Sequence, residues 1–370
     1  VLVSDNSSSG DSLEVANSFR HAALRYVRTP GDLSMPDSWE FALHQSRGEY
    51  VTVLPDDDVY VYTDAIRQAL QELEKCKLQV AVWNLCSYIS PDWFEPTRRN
   101  TLIVKSTSFR SHVLDSEIAV RRLHYIDQQY PVPKFLNSLC HRSIPERAIA
   151  STGRFFWGSC PDFTAAATIL CHVPRYLFID RPFYIDGVSP VSIGAVARFN
   201  WGQAAQTCIK EFGNGTLFTD AVQLQIPTSA VHIAHCLERV KRLYPGVASG
   251  YTIDTRSLVT QSIDTLTMQQ RNGADTAESW QALDTFLAQQ PAHIRQAARK
   301  RKRISGVAAA IRANRHRVAF QWLDQFRGVH AFSGSRHGFS NILECAEAAP
   351  ILISRVASGT FSRAFRKREW

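Results

Sequence analysis

The stretch Gly48-Glu49-Tyr50-Val51-Thr52-Val53-Leu54-Pro55-Asp56-Asp57-Asp58 decides how the chain is read. Residues 49–54 are mostly β-branched or aromatic, the composition of a strand. Pro55 has no N–H to give a ladder, so it turns the chain out of the sheet. Three adjacent carboxylates follow. They repel one another and cannot all be buried without partners. Two arrangements resolve this: a solvated acidic turn, or a hard divalent cation, Mg²⁺ or Mn²⁺, that takes oxygen ligands and bridges to phosphates. The triplet falls at the carboxyl end of a strand, where open α/β sheets bind their ligands.

On either side of this stretch, short β-type runs alternate with helical patterns. Leu2-Val3-Ser4 reads as a strand, residues 11–23 as a helix, residues 25–28 as a strand and 37–45 as a helix. Residues 63–76 place Ala65, Ile66, Ala69, Leu70 and Leu73 on one helical face, and 79–85 is an apolar strand. Strands alternating with helices of this length predict an α/β fold with a mostly parallel sheet flanked by helices. After Trp201 the β signal fades, and residues 228–243, 279–290 and 306–326 read as helices. The predicted division is therefore an α/β domain over 1–200 and a mainly helical region over 201–370. A second polar turn, Asp5-Asn6-Ser7-Ser8-Ser9-Gly10-Asp11, follows the first strand. Asp5 there can accept hydrogen bonds from a base or ribose edge. Ser9 or Asp11 can equally be a plain helix cap.

The chain has 370 residues, 45% of them hydrophobic and 21% charged, enough apolar material for a large core and more than one core usually holds. That composition excludes a disordered or disulfide-stapled chain. The eight cysteines show no C-x-x-C pair, as in a reducing compartment. The net charge of +8 is local: nine Lys or Arg and no acid lie between Arg295 and Arg317. This segment is a solvated helix face, a surface for anionic lipid or a nucleic-acid patch, and the lack of interleaved aromatics argues against the last. His232 and His235, three apart on a helix, read as structural, since no third metal ligand accompanies them.

The run Val3 to Ser8, then Ser34-Met35 with Trp39, then Gly48 to Asp58 resembles the family 2 glycosyltransferases of GT-A fold. Ser159-Cys160-Pro161-Asp162-Phe163 and Arg181-Pro182-Phe183-Tyr184-Ile185-Asp186-Gly187-Val188-Ser189-Pro190-Val191-Ser192-Ile193-Gly194 resemble the acceptor-side segments of its bacterial members. The resemblance covers residues 1–200. It implies a GT-A-like (Rossmann-like) fold, a nucleoside-diphosphate sugar (UDP-sugar) as donor, and a carbohydrate or lipid-linked hydroxyl acceptor. It further implies inversion at the sugar, a divalent metal (Mg or Mn) on the diphosphate, and a role in polysaccharide biosynthesis. Residue by residue, Asp5, Ser7, Arg28, Asp56, Ser189, Ser192 and Gly194 would bind the nucleotide sugar. Asp57, with Asp58 and Asp56, would hold the metal, and Asp162 would be the catalytic base. Pro55 occupies the first acidic position of the usual D-x-D-D spacing, so D-x-D is met one step later.

Members of that family begin one strand earlier. The expectation is an N-terminally truncated domain whose fold persists while its activity is compromised. A cytoplasmic protein with a peripheral contact on the inner face of an anionic membrane is expected, and nucleic acid is not an expected partner. Two rivals stand beside the transferase: a non-catalytic scaffold acting through the basic helix, and a metal-dependent nucleotidyltransferase.

Overall fold

The structure is a computed structural model and describes residues 1–6, 11–192, 194, 222–248, 250–314 and 328–358. Strands β1 (Leu2–Asp5) and β2 (Arg25–Arg28) are parallel, register Leu2 to Arg25 and Asp5 to Arg28, and form a two-stranded sheet of their own. Helix α1 (Asp11–Ser18) connects them, ending five residues before the predicted Ala23. Helix α2 (Met35–Gln45) leads into β3 (Tyr50–Val51), β4 (Val59–Tyr60), α3 (Ala65–Cys76) and the long β5 (Val80–Ile89). Strands β6 (Thr101–Lys105) and β7 (Ser111–Asp115), helix α4 (Ser116–His124), β8 (Ser138–His141), α5 (Ser143–Thr152), α6 (Pro161–His172) and β9 (Arg175–Val188) follow. The later chain supplies α7 (Ser229–Leu243), α8 (Thr255–Arg271), α9 (Ala277–Ala288), α10 (Ala292–Asn314), β10 (Val329–Ser333) and α11 (Ile342–Ala357).

The α/β class predicted from the alternation is the class observed, but the large sheet is mixed rather than mostly parallel. In its eight strands only β5 and β9 pair in parallel, while β5 with β6, β5 with β8, β3 with β8, β4 with β9, β7 with β9 and β6 with β10 are antiparallel. Parallel neighbours need a long crossover. Between β5 and β6 lie eleven residues containing a single 3₁₀ turn, so β6 folds straight back beside β5. The predicted strand 49–54 is likewise shorter. After Val51 the chain leaves the ladder and is held by Phe135, whose carbonyl accepts from the Val53 N–H at 3.1 Å and Thr52 Oγ1 at 2.9 Å.

Helix α3 packs on β5 and β9 through Ala65, Ala69 and Leu73, four apart and all but fully buried. Lys77 ends it in the left-handed conformation at φ 53°. Helix α11, capped by Asn341 Oδ1 accepting the Glu344 N–H at 3.0 Å, lays Cys345, Ala349, Leu352, Ile353 and Val356 against β4, β6 and β9. The division expected near residue 200 lies outside the described residues. One buried cluster nevertheless runs from Leu43 and Val51 through Ala165 and Ile169 to Leu237, Ile263, Leu283 and Ile294. Helices beyond residue 222 therefore share the core with α6, and β10 extends the sheet. Among the described residues no helix is long and apolar enough to cross a membrane.

His232 and His235 of α7 are buried in this shared core, and burial pushes both imidazoles down to about 4. In an unfolded chain they protonate near 6.5. Between those values the unfolded state binds more protons than the native one, so their contribution to stability is lost as pH falls from about 6.5 towards 4. The melting temperature is expected to be lower at pH 5 than at pH 7, and the difference to shrink in a His232→Asn/His235→Asn variant. Differential scanning calorimetry at the two pH values checks this.

Candidate active site

The turn after β3 is fixed from β9. Asp58 accepts a hydrogen bond from the Tyr184 hydroxyl and another from the Gly187 N–H at 2.7 Å, and its own N–H reaches the Pro55 carbonyl at 3.3 Å. Burial pushes the Asp58 carboxyl up to about 7, against the downward pull of those two donors, with Asp57 and Asp186 adding to the rise. Asp57, half-buried, is also raised, by burial and then by Asp56. Asp56 is exposed. Gly187 lies against the backbone of Asp57 so closely that a Cβ there would stand 2.0 Å from the Asp57 carbonyl oxygen. A third half-buried carboxyl, Asp186 on β9, is pushed up to about 6 by burial, and its Oδ1 has no hydrogen-bond partner among the described residues. The triplet is therefore not a solvated turn: two of its members face a β9 segment carrying a further acid.

Asp162 lies in the first turn of α6. Pro161 at the helix start gives up an N–H that would have no partner there, and a carboxylate in the first turn faces the positive end of the helix dipole. The buried run Thr164-Ala165-Ala166-Ala167 lets α6 pack against α4, α5 and α7. The segment before it is pinned at several points. Thr164 Oγ1 donates to the Trp157 carbonyl at 2.9 Å, and Ser159 Oγ lies 3.1 Å from His232 Nδ1. Glu40 of α2 accepts the N–H groups of Phe155 and Phe156, and Arg154 pairs with Asp37 at 2.8 Å. Burial raises the Asp162 carboxyl, opposed first by Lys134 and then by the Phe163 N–H. Burial pulls the Lys134 ammonium down from the ordinary lysine range, opposed by Asp162 and more weakly by Asp186.

The remaining predicted residues are placed as follows. Asp5, buried at the end of β1, accepts the Tyr26 hydroxyl at 2.5 Å, and its carbonyl accepts the Thr29 N–H at 2.9 Å. Asn6 orders the loop after β2 through Leu33 and Thr29. Arg28 is exposed at the end of β2, on the same small sheet. Ser189 and Ser192 form one turn just past β9, with the Ser192 N–H and hydroxyl both reaching the Ser189 carbonyl. Gly194 is exposed. Ser7 lies outside the described residues. Lys134, Tyr184, Asp186 and Gly187 were missed as site residues. Three of them lie inside the quoted run 181–194, whereas nothing around the isolated Lys134 distinguishes it in sequence.

The carboxylates do not form the trio expected for the metal. Among the described residues no three or more His, Cys, Asp or Glu side chains are arranged to hold a cation. Asp56 points into solvent and Asp58 is engaged by β9, for the physical reason that an otherwise buried charge must be hydrogen-bonded. Asp57 still fits a Mg²⁺ or Mn²⁺ that draws its other ligands from phosphate and water, the usual way Mg²⁺ is held beside a nucleotide. An apolar cleft of about 800 Å³, lined by Val1, Val3, Val15, Phe19 and Leu24 among others, lies away from these acids, between α1 and the small sheet.

Residues 1–126 match the family model described as glycosyl transferase family 2. The match covers the first third of the chain. The match takes in the triplet and β5 and stops before Lys134, Asp162 and β9. No curated protein sequence matches the chain. Among solved structures, the crystal structure of S. aureus TarS 1-349 is 12% identical, covering 79% of this chain and 83% of that one with a TM-score of 0.40. TarS 1-349 in complex with UDP-GlcNAc is 12% identical, covering 76% and 82% with a TM-score of 0.41.

Proposed function

We propose that the chain is an inverting glycosyltransferase that moves a sugar from a nucleoside-diphosphate sugar, a UDP-sugar, to a hydroxyl acceptor. The observation that carries this reading is Asp162, a carboxylate in the first turn of α6, on the same body as the acidic turn that β9 fixes through Tyr184 and Gly187. Asp162 would take the proton of the acceptor hydroxyl as its oxygen bonds to the anomeric carbon. The bond from that carbon to the diphosphate breaks, and its electron pair leaves with the nucleotide. When bound, a divalent cation would supply charge neutralisation at the departing diphosphate. Asp57 is the residue to hold it, with Asp58 fixing the turn and Ser189, Ser192 and Gly194 near the phosphates. Asp5, Arg28 and Asp56 would serve the nucleoside end.

Incubation with a panel of sugar nucleotides and Mn²⁺ tests the reading through release of nucleoside diphosphate. Metal-dependent turnover that is lost in Asp57→Ala and in Asp162→Asn is the expected result. Turnover unaffected by either change, or by chelator, overturns it. Calorimetry gives a second measure: Asp57→Ala is expected to weaken Mn²⁺-dependent UDP binding by about tenfold or more, the loss of one charge-assisted ligand.

The acceptor is proposed to be carbohydrate or lipid-linked and to be met at an anionic membrane. Arg295, Arg299 and Arg303 of α10 lie four apart and exposed, whereas Arg301 and Lys302 are paired with Asp264 and Asp284. Each basic residue near an anionic surface contributes about 1 kcal/mol. Co-sedimentation with phosphatidylserine vesicles that weakens with salt, and weakens further in Arg295→Ala/Arg299→Ala/Arg303→Ala, is expected. Binding indifferent to the three changes removes this surface from the account.

A further inference from the structure

We propose that the groove between α8, α9 and α10 is an accessory carbohydrate-binding site that takes a neutral oligosaccharide on the ring of Trp280. None of its residues belongs to the candidate active site, and sugar binding there needs neither donor nor metal.

Three helices build the groove. Thr267 and Gln270 come from the end of α8, Trp280 and Asp284 from α9, and Lys302 from α10. Spacings of three and four put each pair on one helical face. The same helices bury Leu266, Leu283 and Ala298 in the shared core, and Trp280 rests against that cluster while staying only half-buried. Next to Lys302, Arg301 pairs with Asp264 of α8, and Ser305 Oγ donates to the same carboxylate at 2.8 Å, so α10 is clamped to α8. The groove holds about 410 Å³, within the range of about 300–1,000 Å³ usual for a small-ligand site. Helix α8 packs on α7 and α7 on α6, which sets the groove two helices away from Asp162.

The lining selects the class of ligand. The Lys302 ammonium donates to Asp284 Oδ1 at 2.7 Å, so the charges in the groove already compensate each other. A phosphate needs an unpaired cation, and a fatty chain needs apolar walls, whereas Trp280 is the single apolar residue of the lining. A sugar matches both parts of it. The C–H face of its ring is apolar and lies flat on an indole, while each of its hydroxyls donates and accepts. Asp284 accepts, the Lys302 ammonium donates, and the exposed Gln270 carboxamide does both. Thr267 Oγ1 gives its proton to the Ile263 carbonyl at 2.7 Å, which leaves its oxygen as an acceptor. In the free protein Lys302 Nζ stands 4.8 Å from the centre of the Trp280 ring. Exposed cation–π contacts and surface ion pairs are both weak, so the ammonium yields the ring face to a sugar and bonds to hydroxyls at its rim.

The test is a sugar titration read at Trp280 itself. The full chain labelled with ¹⁵N-tryptophan carries eight indoles, and the Trp280 signal is assigned by its loss in Trp280→Leu, or in Trp280→Phe where the leucine variant does not fold. Cellotriose, maltotriose and chitotriose are the probes, added without nucleotide or metal. A saturable shift of the Trp280 signal with at least one of them is expected, at a dissociation constant of about 1 mM, for a site of one aromatic ring and few hydrogen bonds. Asp284→Ala and Gln270→Ala, at exposed positions, are each expected to weaken that binding by about three- to tenfold, the loss of one hydrogen bond. No saturable shift with any of the three sugars, or a shift that both variants leave unchanged, overturns the proposal. A shift with uridine and with none of the trisaccharides overturns it as well, by making the ring a nucleoside platform. Turnover unaffected by Asp57→Ala or Asp162→Asn would defeat the transferase reading alone and leave the titration to judge the groove.

Discussion

Asp162→Asn is expected to lower sugar transfer by about 10² to 10⁴-fold, the range general-base catalysis supplies. The amide keeps the shape of the side chain and its place in the first turn of α6 but cannot take a proton. Stability should change little or improve slightly, because the native carboxyl is raised by burial, so its charged form is a cost to the fold. Donor binding should also persist, since the acids proposed to serve the donor lie in the turn after β3 and not on α6. The diagnostic result is a variant that binds UDP with Mn²⁺ as the parent does, melts no lower, and fails to turn over. Calorimetry and a transfer assay on one preparation are sufficient to read it. A fall in melting temperature together with lost binding would make Asp162 a structural residue.

The second large effect is expected at Gly187. A Cβ built there would stand 2.0 Å from the Asp57 carbonyl oxygen and 3.0 Å from its carbonyl carbon, both backbone atoms that no rotamer change can move aside. The reason for glycine is thus close approach of two strands of chain, not an unusual φ. Gly187→Ala must push β9 from the triplet turn, and the Gly187 N–H that holds Asp58 moves with it. Overpacking of this kind costs about 3 kcal/mol or more. In a domain of this size each kcal/mol lowers Tm by about 2–4 °C. A drop of several degrees is expected, together with loss of Mn²⁺-dependent UDP binding. A variant with parental Tm and binding would show that β9 does not set the turn.

What the sequence made legible follows from which signals are local. The triplet announces itself because a β-branched run, a proline and three acids are consecutive, and α3 does so because Ala65, Ala69 and Leu73 recur at helical spacing. The start of α6 was legible through Pro161 and the small residues after it, whereas Asp162 was singled out only by the resemblance of residues 159–163. Sheet direction was not: the return of β6 beside β5 depends on a short connection without a helix, and periodicity says nothing about pairing partners. The arrangement of the triplet was not legible either. Adjacent acids look convergent in a string, yet the turn sends Asp56 outward and binds Asp58 to Tyr184 and Gly187. The seat of Lys134 was invisible because the Phe163 ring under its ammonium comes some thirty residues later, on another element.

The separation of the two sheets carries one more consequence. Asp5 rests on a ribbon of four residue pairs, and among the described residues no ladder joins that ribbon to the eight-stranded sheet. Its attachment to the body of the protein runs through α2 and the side chains of Asp37 and Glu40 instead. Side-chain tethers yield more readily than a continuous ladder, so the amides of residues 25–28 should exchange with deuterium long before those of β5. The end of the fold that carries Asp5 is thus freer to shift than the part tied by β9 and α6.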